Sequence, residues 1–109
     1  MKALNNIKFI TESNNEIERF ILEIKNSENY NNAKSIGNMA LGHINCMITY
    51  LNCMTDKDNN DFTEQLDEQI ESWKESIYQE MANKAITSGE DTEVVLKCLK
   101  KRDEHRNKA

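Results

Sequence analysis

A chain of 109 residues with no proline and three glycines has room for one core and little to interrupt a helix, which argues against a β-rich or multidomain protein. Three cysteines, an odd number, do not make the disulfide frame of a small secreted scaffold. The formal net charge is −5 and no apolar run reaches the length of a membrane span. The N-terminus lacks the basic start, apolar stretch and small-residue cleavage site of a secretory signal, so a cytoplasmic protein with no membrane contact is expected.

The first apolar series, Ile7, Ile10, Ile17, Phe20, Ile21 and Ile24, falls on one helical face. Ser13 and Asn14 interrupt it, and Ser13 with Glu16 forms an S-x-x-E capping box. The pattern predicts a helix that begins near Ser13, with residues 3–11 forming a separate turn of helix. The asparagine-rich stretch 26–32 reads as a loop.

The second helix is predicted from about Asn31 to Met54, along a seam of Ala33, Ile36, Ala40, Ile44, Met47, Leu51 and Met54. Residues 35–55 contain no Asp, Glu, Lys or Arg in a protein that is 30% charged. Leu41 and Ile48 widen the seam on one side, and Met39, His43, Cys46, Tyr50 and Cys53 on the other, giving a less polar arc of roughly 240°. Only Lys34, Asn38, Asn45, Thr49 and Asn52 are then left for water. This reading makes the second helix the buried centre of the bundle. Its face of Ile36, Ala40, Ile44, Met47 and Leu51 is a candidate core or homodimer surface. Gly37 and Gly42 each cost a helix about 1 kcal/mol relative to alanine, and a close crossing by a neighbouring helix would account for them.

After a loop at 55–60, Asp61 and Glu64 repeat the capping pattern in acidic form. A third helix follows to about Ile86 on a stripe of Phe62, Leu66, Ile70, Trp73, Ile77 and Met81, and Ser88 and Gly89 end it. A fourth begins near Asp91 or Thr92, packs Val94, Val95, Cys98 and Leu99, and ends in basic residues that suit the negative end of its dipole. Short connections make successive helices antiparallel neighbours. The expected fold is a single all-α domain over 1–109, an antiparallel bundle of three long helices and a shorter C-terminal one.

Candidate chemistry is sparse. Asp56, Asp58, Asn60, Glu64 and Asp67 mimic calcium-loop spacing, but Asp61 stands where the turn needs glycine and Asp67 where a bidentate glutamate is needed. His43 and Cys46 lie three residues apart on one helix, and no CxxC or HxxH spacing supplies further zinc ligands. Cys46 and Cys53 are roughly 10 Å apart along a helix axis, too far for a disulfide. The expectation is three free structural thiols, with Cys46 buried beside a hydrogen-bonded His43. No Glu-x-x-His unit for a di-iron site occurs. No catalytic residue, metal or cofactor is assigned.

Charge placement carries more. Residues 61–80 hold seven acids, Asp61, Glu64, Asp67, Glu68, Glu71, Glu75 and Glu80, against Lys74 alone. Glu64, Glu68, Glu71 and Glu75, spaced by four, three and four, make a stripe of one sign along a single helix side. With Asp67 they are the candidate partner-binding residues. The last 13 residues are net +4, and Lys97, Lys100, Lys101 and Arg102 are the candidates for nucleic-acid contact. Nucleic-acid binding is disfavoured by the acidic remainder and by the lack of an RNA-binding motif; helix-end electrostatics, or pairing of this tail with the acidic helix of the same or a second subunit, is preferred.

The expected function is a small non-enzymatic interaction protein, an adaptor, chaperone or inhibitor, that docks on another protein's basic surface through the acidic helix. A phage or plasmid accessory factor acting on a nucleic-acid-handling host protein would have this character. The alternative is a dimeric DNA-associated regulator that uses the basic tail.

Overall fold

The structure is a computed structural model that describes the backbone of residues 2–54 and 60–107 and the side chains of 8–49 and 66–107. The described residues form four helices, α1 (Lys2–Asn26), α2 (Tyr30–Met54), α3 (Asn60–Thr87) and α4 (Thr92–Arg106), and no strand. The all-α bundle expected from the sequence is the fold observed. The polar loop at 55–59 lies outside the described residues, and the side chain of the expected cap Asp61 lies outside the described side chains.

α1 does not begin at Ser13. It runs through that position without a break, and Ser13 is buried. The capping box is overridden because Ser13 and its neighbour Asn14 both have a place on the inner side of a longer helix. Serine is small enough for a buried face that continues through Ile17 and Ile24, both fully buried. Asn14 accepts a hydrogen bond of 3.0 Å from the indole Nε1 of Trp73 on α3. A polar residue in an apolar seam signals either a cap or a cross-helix bond, and local sequence does not distinguish the two.

The turns are built by backbone-satisfying residues. Asn29 caps α2, its Oδ1 accepting the backbone N–H of Asn32 at 2.9 Å. At the end of α3, Gly89 has φ +71, Gly89 N–H bonds Ile86 O at 3.2 Å, and Glu90 N–H bonds Ala85 O at 3.0 Å. This is the Schellman pattern, in which only glycine takes the left-handed position without strain. Lys84 of α3 donates to the carbonyl of Lys25 at 3.0 Å, covering one of the unsatisfied carbonyls at the end of α1.

Cross-helix contacts fix the directions. Asn14 meets Trp73 and Lys25 meets Glu80, so α1 and α3 run parallel. Phe20 of α1 meets His43 of α2, and Glu71 of α3 meets His105 of α4, so those neighbours run antiparallel. The result is an up-down-up-down bundle 49 Å long.

The core consists of Ile17 and Ile24 of α1, Tyr30, Ala33, Ala40, Ile44 and Met47 of α2, Leu66, Ile70, Trp73, Ile77, Met81, Ala82 and Ala85 of α3, and Cys98 of α4. α2 is not the centre of the bundle. Among the described residues α3 is the helix that packs along all three others, whereas α2 reaches α4 through the Tyr30 side chain on Cys98. The wet side of α2 is wider than the sequence implies: Asn38, Asn45 and Thr49 are exposed as expected, and Ser35, Met39, Gly42 and Cys46 of the uncharged stretch are exposed as well. The two helical glycines divide accordingly. A Cβ on buried Gly37 would lie 2.6 Å from the sulfur of Met81, so Gly37 marks the close crossing of α2 on α3. A Cβ on Gly42 would meet nothing within 4 Å, and no crossing explains it.

Candidate functional site

The stripe on α3 is split by the fold into a covered part and an open part. α4 lies antiparallel along α3. Its first half is fastened by apolar groups: Cys98 is buried, Val94, Val95 and Leu99 pack against the core, and the Tyr30 hydroxyl and Cys98 Sγ share a hydrogen bond at 3.5 Å. Burial, together with that bond to Cys98, pushes the Tyr30 phenol well above the usual tyrosine range.

Beyond Leu99, α4 has no apolar side chain left before its end at Arg106, and its contacts with α3 become polar. Arg102 Nη1 donates to Gln79 Oε1 at 2.6 Å. Arg106 Nε donates to Glu75 Oε1 at 2.8 Å, and His105 Nδ1 donates to Glu71 Oε2. Gln79, Glu75 and Glu71 are spaced by four on α3, so three successive turns each present one acceptor to α4. The His105 ring also lies parallel to Tyr78, with centroids 5.6 Å apart. Burial raises the pKa of Tyr78, opposed by the positive charge of Lys101.

The candidate partner-binding residues are therefore not equivalent. Asp67 and Glu68 are exposed and pair with no described cation, whereas Glu71 and Glu75 are half-buried and serve the fold. The side chain of Glu64 lies outside the described residues. The five were read from sequence as one docking surface; the structure divides them, because Glu71 and Glu75 are already bonded to His105 and Arg106 of α4.

The basic candidates divide too. Arg102 is committed to Gln79 and to Asp103, and Lys101 sits 3.7 Å from Glu104. Lys97 and Lys100 are exposed and pair with no described carboxylate. In the face of Ile36, Ala40, Ile44, Met47 and Leu51, Ala40, Ile44 and Met47 are buried in the chain's own core and Ile36 is half-buried. The Leu51 side chain is not described. The described part of this face therefore packs into the chain's own core.

His43 and Cys46 do not form the buried pair expected. The His43 ring tilts against Phe20 at 5.9 Å, and Cys46 is exposed, because position 46 falls on the water side of α2. Among the described residues no three of His, Cys, Asp and Glu converge as metal ligands. A shallow depression of about 160 Å³ is lined by Lys25, Glu80, Asn83, Lys84 and Thr87. Its polar groups already serve the bundle: Lys25 lies 3.9 Å from Glu80, and Thr87 bonds back to Lys84 O at 3.1 Å. Sequence reading missed Gln79 and Asn14 as cross-helix partners, and the four-residue spacing of Gln79 from Glu75 was the available signal for the first.

No helix among the described residues is long and apolar enough to cross a membrane. Comparison with protein-family models, with curated proteins and with solved structures gives no match to this chain.

Proposed function

We propose that this protein is a small non-enzymatic interaction module, acting in the cytoplasm, that docks on a partner protein's basic surface through the acidic face of α3. The observation that carries the reading is that this face already receives a basic helical segment, the end of α4, and continues past it into Asp67 and Glu68, which meet no described cation. Opposed charges at an exposed rim mainly raise the rate of encounter, so salt should slow association more than it speeds release.

Asp67→Asn combined with Glu68→Gln removes two charges that no described residue uses. The expected result is several-fold weaker binding to the partner recovered from the native host, with a shallower salt dependence. Unchanged affinity and salt slope would overturn the reading. Lys97 and Lys100 favour the second reading, a DNA-associated regulator. An electrophoretic shift of duplex DNA by the protein, lost in Lys97→Gln with Lys100→Gln, would replace the first reading with it.

A further inference from the structure

We infer that the end of α4, Arg102 to Arg106, is a releasable strap that occupies part of the docking face, and that a basic helical partner segment binds by displacing it. The inference rests on the docking reading above. It comes from the way α4 is fastened. Up to Leu99 the helix is held by apolar contacts that a partner cannot exchange for its own. From Lys100 to Arg106 it is held by three polar contacts and one ring stack, all of which another cationic helix can reproduce.

The strap is also unevenly closed. His105 keeps 13% of its side-chain exposure, but Arg106 keeps 53% and the Glu75 it bonds keeps 26%, so release can begin at the terminal turn. The acids that α4 covers adjoin those it leaves open: Glu75 and Glu71 lead into Glu68 and Asp67 on the same helix. A partner helix seated on the open pair and extended along the stripe therefore meets the strap. The competition is intramolecular, so the strap acts at high effective concentration although each contact is weak. One half-exposed ion pair, Arg106 with Glu75, and one partly buried hydrogen bond, His105 with Glu71, hold such an element closed by a factor of roughly 2 to 30.

The test uses the full chain and an alanine-based helical peptide with Lys and Arg at i, i+3, i+4 and i+7, titrated at low salt. His105→Gln with Arg106→Gln opens the strap, and Arg106→Gln alone serves if the double variant loses helix content. The expected result is peptide binding tighter by roughly 2- to 30-fold in the opened variant, and loss of the difference in high salt. In the wild-type chain the amides of residues 102–106 should exchange faster when the peptide is bound. Equal binding by both chains overturns the strap but leaves the docking face standing. Binding by neither chain overturns both.

Discussion

The α1–α2–α3 core and the α3–α4 seam share one helix and are held by opposite means. On one side, α3 offers Ile70, Trp73, Ile77 and Met81 to two apolar neighbours. On the other, it offers Glu71, Glu75 and Gln79 to a third helix that is half apolar and half cationic. Burial on the first side is dry and worth about 1.5–3 kcal/mol per large side chain; exposed ion pairs on the second are worth about 0.2–1 kcal/mol each and are screened by salt. One helix can thus carry a permanent contact and an exchangeable one because its two faces draw on forces of different size.

The contrast breaks most sharply at Ile44, which is fully buried. Ile44→Asp puts an unpaired carboxylate in the dry core, costs several kcal/mol and should abolish the cooperative melting transition. Asn45→Asp, one residue along on the exposed side, should leave the melting temperature nearly unchanged.

Alkaline pH probes the junction between the two regions. Tyr30 and Tyr78 hold their protons more tightly when folded than an ordinary phenol does. The stabilisation is fully present below the unfolded value of about 10 and is lost as pH rises through the raised folded values. Melting temperature should therefore fall above about pH 10, and Tyr30→Phe should flatten that fall. A melting temperature that stays level through this range would contradict the burial of both phenols.

The two glycines separate the regions more finely. Gly37→Val forces Met81 out of a filled site and should destabilise by about 1–3 kcal/mol. Gly42→Ala, with open space around it, should stabilise by up to about 1 kcal/mol. The seam is told apart by its response to salt. Glu71→Gln with Glu75→Gln should cost less than about 2 kcal/mol, and that cost should vanish in high salt, unlike any change in the core.

Sequence alone made the elements legible because each helix carries its own period. The seam of Ala33, Ala40, Ile44 and Met47 and the stripe from Leu66 to Met81 are buried as the spacing predicts. The two poles of charge left the basic tail two readings, helix-end electrostatics or pairing with the acidic helix, and charge counts could not say which acids a pairing would take. What spacing does not encode is which helix has the most neighbours. α2 lacks charge yet leaves Ser35, Asn38 and Thr49 in water, since small neutral residues are as compatible with a wet face as with a dry one. α3 is dense in charge yet central, because long charged side chains reach across to α4 while its apolar stripe stays covered. The start of α1 was misplaced for a related reason: the use of Asn14 depends on Trp73, 59 residues away.

The bond between Trp73 and Asn14 gives the protein its own optical label. The chain has a single tryptophan, its side chain is buried, and its indole N–H is anchored to α1 and not to α4. Indole emission therefore follows the parting of α1 from α3, whereas far-ultraviolet ellipticity follows all four helices. If the seam opens ahead of the core, ellipticity begins to fall while emission holds, and the two melting curves separate, the mark of a transition that is not two-state.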